Sequence, residues 1–185
     1  VRVFQYIAGN WVQLGSDIDG EAVNDYSGWS VSLSSDGTIV AIGATFNDGN
    51  GDYAGHVRVY EYSGGDWVQL GSDIDGEAEE DRSGYSVSLS SDGMIVAIGA
   101  YGNDGNGDNA GHVRVFEYSG GDWIQLGSNI DGEVENDLSG ENVSLSSDGT
   151  IVAIGAIFND GNGNNAGHVR VYEYSGGDWV QIGSD

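Results

Sequence analysis

Gly55-His56-Val57-Arg58-Val59 returns as Gly111-His112-Val113-Arg114-Val115 and again as Gly167-His168-Val169-Arg170-Val171, each time 56 residues on. A fixed period of this size is the mark of a repeat architecture, in which each unit is one small piece of supersecondary structure. Residues 57–112 and 113–168 agree at 44 of 56 positions, residues 1–56 form a third copy, and residues 169–185 begin a fourth. No insertion separates the copies, so there is no linker and no second type of domain.

Working outward from that segment, each period holds four strand-like runs. Residues 86–90 alternate, with Val87 and Leu89 on one face and serines on the other. After the turn Ser91-Asp92-Gly93 comes Ile95-Val96-Ala97-Ile98-Gly99-Ala100, apolar on both faces, as a central strand covered from two sides must be. The loop Asn103-Asp104-Gly105-Asn106-Gly107-Asp108 leads to a third strand over 112–118. Ser119-Gly120-Gly121-Asp122 makes a hairpin turn, and 123–126 is the fourth strand. Helical periodicity is missing throughout.

Four antiparallel strands per 56 residues predict an all-β chain of β-propeller blades. A lone blade cannot cover both faces of its central strand, but neighbours stacked on each side can. Trp67, Tyr60, Tyr62 and their equivalents are expected to fill the gaps. A β-solenoid is the alternative, with shorter repeats and parallel coils. Blades are expected at 27–76, 83–132 and 139–185, with 1–20 as the last two strands of a preceding blade. Propellers close with about 4–8 blades. The expectation is therefore an incomplete ring, belonging to a longer chain or to a protomer that assembles.

Composition agrees with this reading. There are 33 glycines, no proline and no cysteine, so glycine does the turning, and disulfides, thiolate zinc sites and thiol nucleophiles are excluded. Against 30 Asp and Glu stand five Arg and no Lys, for a formal net charge of −25. Such a surface repels phosphate backbones and anionic lipid, so no nucleic-acid partner and no membrane insertion is expected. It favours cations that prefer oxygen ligands.

Ser27-Gly28-Trp29-Ser30-Val31-Ser32 and Ser83-Gly84-Tyr85-Ser86-Val87-Ser88, each followed by Ile-Gly-Ala at Ile42, Gly43, Ala44 and Ile98, Gly99, Ala100, resemble the two halves of the FG-GAP repeat. That family builds the blades of integrin alpha-subunit propellers and of many bacterial and algal surface proteins. The resemblance implies a propeller, an extracellular or cell-surface setting and a role in binding. Ser replaces the Phe of the first half, and the Pro of the second is missing. Glu141-Asn142 breaks the pattern in the third copy, which predicts a distorted blade there. The family's calcium loop lies between the first two strands. Here that link is only Ser35-Asp36-Gly37 or its equivalents, too short to wrap a cation, so those ligands do not carry over.

A different loop offers oxygen at every second position: Asp48, Asn50 and Asp52; Asp104, Asn106 and Asp108; Asp160, Asn162 and Asn164. Side chains so spaced can converge on calcium when glycines let the backbone curl. Asn/Asp/Gly turns also form without metal. A second acidic series, Asp17, Asp19, Glu21 and Asp25 with its copies, reads as solvated edge charge. His56, His112 and His168 are expected to bond locally or face solvent, and Arg58, Arg114 and Arg170 to pair with carboxylates across strands.

Catalysis needs one asymmetric constellation. Near-identical copies supply the same residues three times, so no catalytic residue is assigned and the chain is read as non-enzymatic. Two readings remain: an extracellular module for adhesion or assembly, with a protein or glycan ligand or other copies of itself as partner, and a purely structural subunit of a surface fibre or sheath.

Overall fold

A computed structural model describes residues 1–184. It is all-β, with no helix among the described residues. A two-stranded hairpin comes first (β1, Val3–Ile7; β2, Asn10–Leu14). Three antiparallel sheets follow, each running in simple order from its first strand outward. The first sheet holds β3 (Ser30–Leu33), β4 (Ile39–Ala44), β5 (His56–Ser63) and β6 (Asp66–Gln69). The second holds β8 (Ser86–Leu89), β9 (Ile95–Ala100), β10 (His112–Ser119) and β11 (Asp122–Gln125). The third holds β13 (Ser139–Leu145), β14 (Ile151–Ala156), β15 (His168–Ser175) and β16 (Asp178–Gln181). The antiparallel ladders rule out a solenoid of parallel coils.

One detail departs from the four-strand expectation. Two-residue strands, β7 (Ile74–Asp75) and β12 (Ile130–Asp131), pair with the first residues of β5 and β10. In the first two sheets the outer edge is thus shared by two short segments, and the second of them opens the crossing to the next sheet. In the third sheet the register of β13 shifts between Ser139 and Asn142, an irregularity that brackets Glu141.

The sheets stack face to face, with β3 packed on β8 and β8 on β13, so the first strands lie together on the inside. Alternation along the central strand explains the two-sided core. Ile39 and Ala41 of β4, with Val57 and Val59 of β5, pack against Val96, Ile98, Phe116 and Trp123 of the second sheet. Val40 and Ile42 turn the other way, onto Ile18 and Tyr60. The second and third sheets repeat this with Ala97, Val113 and Val115 against Val152, Ile154 and Tyr172. Each buried Val, Ile or Phe among them contributes about 1.5–3 kcal/mol.

Polar ties fix the spacing of the stack. Trp67, Trp123 and Trp179 donate their indole N–H to the carbonyls of Leu14, Leu70 and Leu126 in the preceding unit, at 2.9, 2.7 and 2.8 Å. Asp66, Asp122 and Asp178 accept the backbone N–H of Ser16, Ser72 and Ser128 at 2.8–2.9 Å, which holds these exposed carboxyls below their ordinary pKa. On the inside, Ser30 and Ser86 donate their hydroxyls to the carbonyls of Gly84 and Gly140 at 2.7 Å. A Cβ on Gly43 would stand 2.0 Å from the Gly84 oxygen, and one on Gly99 1.9 Å from that of Gly140. The Ser-Gly of one unit therefore rests directly on the Ile-Gly-Ala of the unit before it, and only glycine lets the two backbones approach so closely.

Candidate functional site at the sheet junctions

Each junction gathers its polar side chains at one end, where the crossing between sheets meets the loop between a sheet's second and third strands. Asp81 of the second crossing is buried, accepting the backbone N–H of Glu77 and Ala78 and the amide of Asn103 at 3.0–3.1 Å. Asp25 and Asp137 are also buried and accept the amides of Asn47 and Asn159, at 3.0 and 2.8 Å. Burial pushes the Asp81 carboxyl up in pKa, against those hydrogen bonds. The last member of the second acidic series is therefore a structural cap and not solvated edge charge.

The histidines do not face solvent. His56 and His112 are almost fully buried where β5 and β10 begin. Nδ1 of His56 lies 3.9 Å from Glu21 and 3.8 Å from Asp73, and Nδ1 of His112 lies 3.7 Å from Glu77 and 4.0 Å from Asp131. His168 lies 3.9 Å from Glu133 in the same way. Burial, with the Arg114 guanidinium second, holds His112 neutral, its pKa down to about 3; burial lowers His56 as well.

Arg58, Arg114 and Arg170 reach carboxylates, but those of the crossing that precedes their sheet and not those of a neighbouring strand. They approach Glu21, Glu77 and Glu133 at 3.6, 3.9 and 3.5 Å, and donate to the carbonyls of Asp19, Asp75 and Asp131 at 2.8, 2.6 and 3.4 Å. Glu21 with His56 and Asp73, and Glu77 with Asp81 and His112, are sets in which three ligand atoms lie within reach of one cation. A neutral imidazole with two carboxylates suits a zinc-like ion better than calcium, while the neighbouring arginine opposes any cation.

The nine loop residues are all exposed. Asp48, Asp104 and Asp160 each accept a backbone N–H within their own loop, from Tyr53, Asn109 and Asn165 at 2.6–2.8 Å. Asn50 and Asn106 donate their amides to the carbonyls of Gly76 and Gly132 at 2.7 and 2.8 Å, tying loop to crossing. Asp52 and Asp108 give their backbone carbonyls to Glu80 and Asn136 of the next crossing. Asn162 and Asn164 lie on the loop of the third sheet. One oxygen of each first aspartate is thus committed to the turn, and in the first two copies the asparagine is held through its donor end.

The FG-GAP repeat model matches residues 17–60 and 73–116, which hold the Ile-Gly-Ala of the first sheet and the Ser-Gly of the second that rests on it. These two segments are FG-GAP repeats. Each match runs from the acidic crossing into the third strand, so it contains both halves of the motif, and the junction of Gly43 with Gly84 joins the first match to the second. No curated protein matches the chain significantly in sequence. Among solved structures it is similar to Kuenenia stuttgartiensis hydrazine synthase, with 12% identity and a TM-score of 0.53, over 90% of this chain and 38% of that one. It is also similar to Saccharomyces cerevisiae Sqt1, with 16% identity and a TM-score of 0.53, over 86% of this chain and 35% of that one. The chain thus spans little more than a third of either. Its structural neighbours are β-propellers, and the stacked FG-GAP sheets are blades of that fold.

Proposed function

We propose that this chain is a segment of a non-enzymatic, extracellular FG-GAP propeller that serves adhesion or assembly, and that a further repeat of the same type covers the flank of its third blade. One contrast carries the reading. Val57 and Val113 are fully buried by the following blade, whereas Val169, at the same position of an identical segment, is 58% exposed. A Cβ on Gly155 would meet nothing closer than 3.6 Å, while its counterparts Gly43 and Gly99 are pressed against a neighbouring carbonyl. The flank has the shape and the residues of two faces that are already covered, so the occupant it fits is another Ser-Gly unit. The recurrence of Glu21, His56 and Arg58 as Glu77, His112 and Arg114 and as Glu133, His168 and Arg170 supports a role without catalysis.

Appending a copy of residues 74–128 after Asp185 keeps the 56-residue register and tests this. The extended chain is expected to melt higher, because stability in a repeat array is a sum over units and their interfaces. Gly155→Ala is expected to remove most of that gain while leaving the parent chain unchanged. A melting temperature that does not rise on extension defeats the proposal.

Calcium at the loops of Asp48, Asp104 and Asp160 is the cation component of the same reading, supported by the acidic surface and the carboxylates of Asp52 and Asp108. Calorimetric titration with calcium and a melt in EDTA test it. No uptake with an unchanged melt removes that component alone.

A further inference from the structure

The three copies all differ from one another at only three of their 56 positions. These hold Tyr26, Arg82 and Leu138; Trp29, Tyr85 and Glu141; and Thr45, Tyr101 and Ile157. Far apart in sequence, seven of these nine meet in the fold. Trp29 lies 6.5 Å from Tyr26 and 5.4 Å from Tyr85, ring to ring, and Tyr85 lies 4.5 Å from Tyr101. Arg82 stacks over Tyr101 at 5.3 Å, Thr45 donates its hydroxyl to the Arg82 carbonyl, and burial followed by the Glu141 charge raises the Tyr85 pKa. The exposed loop Asp48-Gly49-Asn50-Gly51, by contrast, is identical in all three copies. The positions at which every copy differs thus fall along one stripe, fully buried at Thr45 and exposed at Tyr26, Trp29 and Ile157, and exposed chemistry that changes from junction to junction on a constant scaffold suits recognition.

At its first end the stripe is aromatic. Tyr26, Trp29, Phe46 and Tyr53, with Asn24, line an open cavity of about 480 Å³. Phe46 sits at the centre, with ring centroids 5.2, 5.9 and 5.5 Å from Tyr26, Trp29 and Tyr53. Tyr26, Trp29 and Tyr53 remain 59%, 48% and 45% exposed. Tyr53 also sits at φ +56°, where the other copies place Asn109 and Asn165 at φ +50° and +52°. Asparagine tolerates that left-handed backbone, whereas a tyrosine there costs on the order of 1 kcal/mol. The first copy thus holds an exposed ring at a strained position that the others fill without strain.

We propose that this aromatic rim binds a neutral pyranose oligosaccharide, a reading that rests on the chain being a binding module. Sugar C–H faces stack on aromatic rings, and the hydroxyls find the Asn24 amide and the tyrosine hydroxyls at the edge. The −25 charge disfavours acidic glycans and phosphates. Arg82, 5.8 Å over the Phe46 ring, disfavours a quaternary ammonium ion, the other common guest of aromatic sites.

Calorimetric titration of the intact chain with neutral hexasaccharides of glucose, mannose and N-acetylglucosamine, with galacturonate hexamer and with choline, tests the proposal. At least one neutral hexasaccharide is expected to bind. Trp29→Ala is expected to weaken it about tenfold, and Trp29→Tyr, which keeps a stacking ring, by less than about threefold. A melt of each variant checks its folding. Binding of none of the three, binding of choline or galacturonate alone, or equal affinity in Trp29→Ala overturns the proposal. The blade-extension experiment reads a different face, so failure there with saccharide binding intact sinks the assembly reading and not this one.

Discussion

The inner junctions and the outer rim of the same stack follow opposite rules. At the junctions the copies are the same: Gly43 on Gly84 and Gly99 on Gly140, with a serine bonded across each and an indole bonded back to the preceding blade. At the rim the same three positions carry aromatic, cationic, aliphatic and acidic side chains in turn. The contrast separates what stacks a blade from what a blade can present. Packing tolerates almost nothing where two backbones approach to a carbonyl's distance, and Tyr26 and Trp29 at the rim, 59% and 48% exposed, are under no such constraint.

The largest effect that sharpens this contrast concerns the tryptophans. Trp123 is 8% exposed in a covered junction, and Trp11, its counterpart in the first hairpin, is 70% exposed. Trp123→Ala is expected to cost about 3–5 kcal/mol in urea unfolding, and Trp11→Ala about 0.5 kcal/mol. Similar losses would break the contrast.

Next comes pH. His112 is neutral when folded, with its pKa at about 3, and takes a proton near the ordinary 6.5 when unfolded. The unfolded chain therefore binds more protons between those values. The stability His112 contributes is complete above pH 6.5 and is lost as pH falls toward 3, at about 1 kcal/mol per pH unit. Melts between pH 7 and 4 should show this slope, and His112→Asn should flatten it.

The smallest effect has the opposite sign. Tyr53→Asn should raise stability by up to about 1 kcal/mol by relieving the left-handed backbone, while reducing saccharide affinity at the rim. A loss of stability would mean that the ring belongs to the core.

Much of the fold was legible because strands announce themselves by local pattern. Ile95-Val96-Ala97-Ile98-Gly99-Ala100 is apolar on both faces, and β9 is indeed covered from both sides. Ser91-Asp92-Gly93 turns where its residue types demand. Ile74–Asp75 was not legible, since two residues among carboxylates carry no period and pair only through a partner far along the chain. The burial of His56 and Asp81 was hidden for the same reason: their cover comes from a crossing and a loop about 20 residues or more away. Loop oxygens could be read from the sequence, but not the turn and crossing hydrogen bonds that several of them make. The rim was visible only as the three positions where all the copies differ, a signal that identity between repeats conceals.

The central claim, that blades stack through glycines pressed on a neighbour's carbonyl, is tested most directly by paired urea melts of Gly99→Ala and Gly155→Ala. The same substitution then enters the same strand position, once at a covered junction and once at an open flank. Gly99→Ala should lose about 3 kcal/mol or more and Gly155→Ala should stay within about 0.5 kcal/mol of the parent; equal losses in the two would contradict the account.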